Sequence, residues 1–582
     1  MAMKRPPLLL AGAALTVCLL AALPLMYIAL NALRADPALW QRLSAGQYPR
    51  LVGNTVALLI TVMSSAAMIG VVAAWLVERT DLPGRGLWRW LLALPLAIPG
   101  YVSVVCYLFL LRRGGWVDQI AMQHFGFGRN EFPLPHLFNL WGVTAIIALY
   151  TYPFVFLAVA AALRTLDATL DEAARMSGRG TWGLFRTLTL PLLTPAIAGG
   201  SLLVGLYVLS DFGAVALLRY QTFTTAVYRQ FAGVTGREAA SVVSMGLIAL
   251  SFILLYGDAW LHRRERHYTR SANWRPRRLI RLGAWRWLAF AVILTIATLS
   301  LFLPLAVLIS LTLQGIFAPT QVDLVWSVGA ATLWQHGWNS LLLSVLAATL
   351  ASLLAFAPAF AAVRYRGAYA VLLNVSKIAF ALPGILIGLG FLMFFLRTPL
   401  YATVTALVFG LAFRLLPKTI TSSETALAFV SPTLEQASAT MGVGTWATLR
   451  RVTLPLAAPG VLAGWALAFV TAMKELPLLV ILRPPGFDTL SIRVWEAAND
   501  SVYTQAAPPA LLMIGLTTLT LGLVYRAGRF GVERVVRERD DQPRITVPHT
   551  LPSGVPADAL PLPVARVRPS GLFDVTAERL KD

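Results

Sequence analysis

The chain has 582 residues, 57% of them hydrophobic and 13% charged, with a formal net charge of +21 and a mean hydropathy of +0.69. A soluble domain carries about 25% charged residues, so the apolar surplus excludes an ordinary soluble fold and needs lipid as its solvent. The basic excess does not point to nucleic acid, because Arg and Lys lie between long apolar runs and not on a face interleaved with aromatics.

The first apolar run, Leu8–Leu33 behind Met1–Arg5, resembles a signal peptide only at its start. It is long enough for a ~30 Å hydrocarbon core and no clean small-x-small site follows, so it reads as an uncleaved first span. Further runs of spanning length fall near 52–77, 90–111, 139–162, 191–218 and 241–261. A second set falls near 285–313, 338–363, 371–397, 401–423, 457–482 and 506–526. Backbone polar groups in lipid must be satisfied within the segment, so each run is expected to be a helix. The fold class is therefore an all-α polytopic membrane protein of about twelve transmembrane helices. Pro95, Pro99 and Pro383 interrupt their runs and are expected to break or kink those spans. Cys18 and Cys106 lie inside apolar runs without ligand partners nearby, and His262 and His267 sit in an Arg-rich loop. Neither set has the spacing of a disulfide framework or a metal site.

Positive charge recurs in alternate loops. Lys4 and Arg5 precede the first span; Arg79, Arg85 and Arg89 follow the second; Arg164, Arg175, Arg179 and Arg186 follow the fourth. The segment 262–281 follows the sixth, Arg364 and Arg366 the eighth, Lys418, Arg450 and Arg451 lie near or after the tenth, and Arg526, Arg529 and Arg534 follow the twelfth. The positive-inside rule then puts both termini and these loops in the cytoplasm of a multi-pass chain in a bacterial inner membrane. Arg112, Arg113 and Arg129 break the pattern in one external loop. The expected organisation is a first half at 1–261, a basic cytoplasmic linker at 262–284, a second half at 285–530, and a Pro-rich, charged, disordered cytoplasmic tail at 537–582.

The two halves repeat. Asp171-Glu172-Ala173-Ala174-Arg175-Met176-Ser177-Gly178, continuing to Gly180-Thr181-Trp182 and Thr189-Leu190-Pro191, matches Glu435-Gln436-Ala437-Ser438-Ala439-Thr440-Met441-Gly442, continuing to Gly444-Thr445-Trp446 and Thr453-Leu454-Pro455. Gly178 and Gly442 are 264 positions apart, as are Pro153 and Pro417, Pro195 and Pro459, Arg219 and Arg483, and Arg229 and Arg493. Six spans per half in matching orientation make the repeat parallel, about an axis along the membrane normal. Each matched segment is a short polar helix closed by a Gly turn, after which Leu-Pro opens the next span. An exposed polar helix present twice calls for paired or symmetric partners.

These residues resemble the EAA loop of ABC importer permeases, Glu-Ala-Ala-x3-Gly followed by x9-Ile-x-Leu-Pro. Glu172-Ala173-Ala174, Gly178 and Leu188-x-Leu190-Pro191 match nearly throughout; the second copy carries Gln436 where the family has Glu, with Glu435 one position early. The resemblance implies two halves with a type I importer core and EAA loops near 165–191 and 429–455. It implies docking on a cytoplasmic ABC ATPase, expected as a dimer, through Glu172, Ala173, Ala174, Gly178 and Pro191, and through Glu435, Gln436, Ala437, Gly442 and Pro455. Ser210-Asp211-Phe212-Gly213-Ala214, Lys474-Glu475-Leu476-Pro477 and the stretch Leu482–Glu496 carry a closer likeness to fused ferric-iron permeases. That implies ferric iron delivered by a periplasmic binding protein; thiamine and phosphonate permeases share the fused architecture and stay open. A secondary transporter with parallel repeats is the alternative of another class. The same resemblance implies that the binding protein docks on the external loops at Arg219, Arg229, Arg483 and Arg493, where plain solvation is the competing reading.

Asp211 and Glu475 are equivalent in the repeat and lie at the outer ends of their apolar runs. Ionisable groups at such depth are costly unless paired or hydrated. With Lys474 they are candidates for the translocation path, where carboxylate oxygen would suit a hard cation; the competing reading pairs Lys474 with Glu475 as a structural lock. The chain has no Gly-x4-Gly-Lys-Ser/Thr phosphate loop and no catalytic cluster, so it is not expected to be an enzyme and ATP hydrolysis falls to another subunit. No catalytic residue, metal site, cofactor or nucleic-acid partner is expected.

Overall fold

A computed structural model describes residues 8–128, 131, 133–166, 183, 185–233, 236–263, 279–319, 329–365 and 382–540. Contacts divide the chain into Met1–Gly528 and Arg529–Asp582. Apart from one bridge between Thr80 and Ile280, the regular structure among the described residues is helical. Nine of these helices are long and apolar enough to cross a bilayer, ten if one sharply bent pair counts as a span. Of the remaining expected runs, 371–397 is described from residue 382 and contains a short apolar helix, Gly384–Phe395; 506–526 lies within the helix Tyr503–Asp540.

In chain order the elements used below are α1 (Leu8–Arg34), α2 (Tyr48–Arg79), α3 (Gly100–Leu111), α4 (Leu140–Thr165), α5 (Leu190–Ser210), α6 (Phe223–Ala232) and α7 (Gly236–Arg263). The second half follows as α8 (Gly283–Phe317), α9 (Ala330–Arg364), α10 (Gly384–Phe395), α11 (Val404–Phe429), α12 (Pro432–Thr440), α13 (Leu454–Met473), α14 (Pro477–Leu482), α15 (Leu490–Asn499) and α16 (Tyr503–Asp540). In the first half α2, α4 and α5 pack together; in the second α9, α11 and α13 do the same. Small residues let these helices approach closely. A Cβ on Gly200 would lie 2.8 Å from the Val155 backbone, and one on Gly464 2.5 Å from the Ser422 side chain.

Each half lends its opening helix to the other. On α1, Pro24 packs on Gly390 and Tyr27 meets Phe394 edge-on at 5.8 Å, while Asn31 Nδ2 reaches Met393 Sδ at 3.5 Å. In return, α8 lies against the first half: Tyr107 donates to the Leu299 carbonyl at 2.5 Å, Tyr152 and Ser300 share a hydrogen bond of 3.3 Å, and Trp88 meets Phe290 at 5.6 Å. The exchange makes the seam between the halves a continuous apolar core. The end of the expected linker, residues 279–284, is tied back by Ile280 N–H to Arg79 O (2.8 Å) and Leu282 N–H to Asp81 Oδ1 (2.9 Å); residues 264–278 lie outside the described set, as do 541–582 of the expected tail.

Two expectations change and one is met. The runs 191–218 and 457–482 are not single helices: α5 stops at Ser210 and α13 at Met473, and each chain resumes as a short helix, Gly213–Leu217 or Pro477–Leu482. Asp211 takes extended backbone (φ −79°, ψ 107°), and Pro477 has no N–H to continue the ladder. The break expected at Pro99 is met: the run 90–111 bends by 93° between Arg85–Ala97 and Gly100–Phe125, because Pro99 is extended (φ −61°, ψ 144°). Lys418 is not a loop charge; it lies inside α11, where apolar flanks hid its depth.

Candidate functional site

The broken spans meet in the seam. In the first half, Tyr150 on α4 donates to Asp211 Oδ2 at 2.7 Å, and the Ala214 N–H donates to Asp211 Oδ1 at 3.0 Å. In the second half, Arg414 on α11 faces Glu475, Nε to Oε1 3.9 Å. Tyr150 and Arg414 are themselves 264 positions apart, so the repeat keeps the geometry and changes the chemistry: a neutral donor on one carboxylate, a guanidinium on the other. Two Pro-Gly breaks complete the arrangement. A Cβ on Gly100 would lie 2.7 Å from both Asp211 Oδ2 and the Tyr150 ring, and one on Gly384 would strike Glu475 Oε1. Only glycine lets the backbone approach each carboxylate this closely.

Contacts cross between halves at the same level. Arg414 Nη2 reaches Ser210 Oγ at 3.4 Å, and Lys474 Nζ donates to the Leu96 carbonyl at 2.6 Å. Leu476 and Tyr101 close on Gly213, where a Cβ would come within 2.7 Å of Leu476 Cδ2. Lys474 therefore does not pair with its neighbour Glu475. Consecutive residues at a helix end point apart; Glu475 turns to α11 and Lys474 to the bend before α3. Arg414 carries the pairing, and sequence reasoning missed it. The signal was an Arg inside an apolar run at the repeat position of Tyr150. Lys418, one turn further along α11, donates to Thr471 Oγ1 at 2.7 Å.

Among the described residues the second polar helix forms as expected. Ser431 caps α12, accepting from the Thr433 N–H at 3.4 Å. Gly442 takes the left-handed conformation (φ +80°), with its N–H bonded to Ala439 O at 3.0 Å and Val443 N–H to Ser438 O at 3.1 Å. Pro455 stands in the first turn of α13, as Pro191 does in α5. Glu435 points inward. Arg364, at the end of α9, forks onto it through Nε (3.1 and 3.0 Å) and Nη2 (2.9 Å), and also holds the Val430 carbonyl at 2.9 Å. Thr453 Oγ1 donates to the same carboxylate at 2.9 Å. The pair is nearly dry, at 4% and 9% side-chain exposure. Gln436 and Ala437 are exposed. Around the helix Phe429, Leu434, Met441 and Trp446 expose large apolar surfaces. Glu172, Ala173, Ala174 and Gly178 of the first copy lie outside the described residues. In the first half, buried Glu78, at the end of α2, receives Arg89 at 2.7 Å and Arg164 at 2.5 Å.

The family model for inner membrane components of binding-protein-dependent transport systems matches residues 66–267 and again 355–537. The chain belongs to that family. The permease has a relative of nearly its full length in the Fe(3+)-transport system permease protein FbpB 2 of Haemophilus influenzae, 28% identical over 519 residues, 88% of this chain and 96% of that one. The ferric transport system permease protein FbpB of Actinobacillus pleuropneumoniae is 24% identical over 494 residues, 81% of this chain and 70% of that one. The molybdenum transport system permease protein ModB of Escherichia coli is 30% identical over 203 residues, 34% of this chain and 86% of its own length. One half of the permease thus spans most of a single-length relative, and the fused double-length form is shared with the iron permeases.

The four arginines expected on external loops separate into two kinds. Arg219 and Arg229 are exposed. Arg219 takes positive φ (52°) and lies over the Phe138 ring, 5.8 Å from its centroid. Arg483 is held inside its own loop by Asp488 and by Glu496 Oε1 at 2.6 Å. Arg493, on α15, is half-buried; burial lowers it from the ordinary guanidinium value, with Glu496 and Asp488 opposing. Phe212, Tyr228 and Trp495 pack together across the seam between these loops, with ring centroids 4.8 to 6.0 Å apart.

Proposed function

We propose that this permease is the membrane-spanning subunit of an ATP-driven importer of ferric iron, charged by a periplasmic binding protein and driven by a dimeric cytoplasmic ABC ATPase. The observation that carries the reading is the doubled polar loop on a chain with one relative, matched over 96% of its length, named as an Fe(3+)-transport permease and another, matched over 70% of its length, named as a ferric transport permease. In this reading residues 1–261 and 285–530 are the two permease halves and 262–284 their linker. The loops at 165–191 and 429–455 face the cytoplasm with both termini. The exposed Met441 and Trp446 beside α12 fit an apolar cleft on the ATPase. The Arg364–Glu435 clamp transmits its push to α9 and α13, since a paired, desolvated charge couples the helices it joins. Arg219 and Arg229 are the free-standing docking contacts for the binding protein; Arg483 and Arg493 shape the opposite loop.

Deleting the permease from its host abolishes uptake of labelled ferric iron, and the wild-type gene restores it; unchanged uptake ends the ferric reading. Met441→Glu with Trp446→Glu lowers the amount of ATPase that co-purifies with the permease. Undiminished co-purification removes α12 as the docking element.

A further inference from the structure

The ionisable side chains at the broken spans do not balance. Asp211 and Glu475 supply two carboxylates, while Arg414, Lys418 and Lys474 supply three cations. Asp211 is occupied from within by Tyr150 and the Ala214 N–H; Glu475 faces Arg414 across 3.9 Å, and its Oε1 is buried without a hydrogen-bond partner among the described residues. Among the described residues neither lysine has a carboxylate partner. Among the described residues each ammonium makes one hydrogen bond, to a neutral oxygen, Thr471 Oγ1 for Lys418 and Leu96 O for Lys474. An ammonium has three N–H donors. Arg414 Nε is buried and has no hydrogen-bond partner among the described residues.

The cations belong to one group at the path. Arg414 and Lys474 reach across the seam, and Lys418 follows Arg414 by one turn of α11 and bonds Thr471, three residues before Lys474. All three are partly accessible and not fully enclosed. Surplus positive charge in a low-dielectric setting is costly unless a counter-charge visits it. Pores lined by Lys and Arg select anions, and ammonium and guanidinium groups make their strongest hydrogen bonds to anionic oxygen. A bare trivalent cation would meet repulsion here. No group of three or more His, Cys, Asp or Glu among the described residues stands ready to ligate one.

We infer that the passage takes its cargo as an oxygen-bearing anion, with Lys418, Lys474 and Arg414 as the groups that meet it. The anion is either a free oxyanion or the ligand shell around a ferric ion. The inference rests on the importer reading and narrows the cargo within it.

Dual-label uptake tests it in host cells that carry the permease or lack it, with four probes: labelled ferric iron with labelled citrate, labelled ferric iron with labelled pyrophosphate, labelled molybdate and labelled sulfate. Permease-dependent entry of an anion label together with iron supports the inference in its ferric form. Entry of molybdate or sulfate without iron supports it in the free-anion form and ends the ferric reading. Iron entering without its anion overturns the inference and leaves the ferric reading standing; entry of none of the labels overturns both. Lys418→Met and Lys474→Met, at wild-type abundance in the membrane, each reduce anion entry by at least about tenfold, and Lys→Arg at either site restores most of it. Wild-type uptake by both Met variants also overturns the inference.

Discussion

The first half closes on a neutral hydrogen bond, Tyr150 to Asp211, and the second on an ion pair, Arg414 to Glu475. The scaffold around the two is the same: a Pro-Gly break, an acidic residue just past the end of a long helix, and a donor from the preceding span. The polar contact at the end of the second long helix also differs between halves. The first half buries an acid, Glu78, under Arg89 and Arg164; the second buries a base, Arg364, under Glu435. A duplicated fold thus fixes where polar groups sit, and sequence divergence then decides which charge each half presents. The result is a seam with an electrical polarity that two identical halves could not have.

The largest effect is expected at the Arg364–Glu435 clamp. Removing one partner leaves the other charged and buried, which costs about 3–5 kcal/mol. Arg364→Ala and Glu435→Ala each lower the unfolding temperature of the purified permease and abolish uptake. The double variant loses less than the sum of the two; full additivity in that cycle would mean the pair does not act as a unit.

Next come the glycines. Gly100→Ala and Gly384→Ala each force a methyl group against a carboxylate, at about 1–3 kcal/mol of overpacking. If the two halves share one scaffold, their losses in thermal stability are alike. A tolerant Gly384 beside an intolerant Gly100 would break the equivalence of the two breaks.

The donors should separate the halves. Tyr150→Phe strips a buried hydrogen bond from Asp211 at about 1–3 kcal/mol and leaves the net charge of the seam unchanged. Arg414→Tyr copies the first half's chemistry into the second and removes one cation. Uptake by Arg414→Tyr should fall further than uptake by Tyr150→Phe; equal losses would show that the charge difference has no consequence for transport.

The smallest effect belongs to the loop that holds Arg483. Arg483 and Glu496 are about one-third exposed, where an ion pair contributes roughly 0–1 kcal/mol. Glu496→Gln shifts thermal stability little, and less still at high salt. A large, salt-independent loss would mean that the loop is a structural keystone.

The membrane class, the repeat and the helix and turn of the second loop were legible in the sequence, because each rests on local rules: an apolar run of spanning length, a Gly where φ is positive at Gly442, a Pro in the first turn at Pro191 and Pro455. The 264-residue offset also placed Asp211 opposite Glu475 before any contact was known. The partners of those carboxylates were not legible. Lys474 is adjacent to Glu475 in the chain, yet Arg414, sixty-one positions earlier, is the residue that faces it, because helix ends aim consecutive side chains in different directions. Lys418 looked like a loop charge since hydropathy averages over a window and one ammonium does not end a span. The exchange of α1 and α8 between halves left no mark in either pattern, as an apolar helix packs equally well by composition against either bundle. What the sequence determined by itself was therefore the elements and their duplication, through periodicity and backbone chemistry. Which charges meet in the seam, and that cations outnumber carboxylates there, was decided only when tertiary packing brought the breaks of four separate spans to one level.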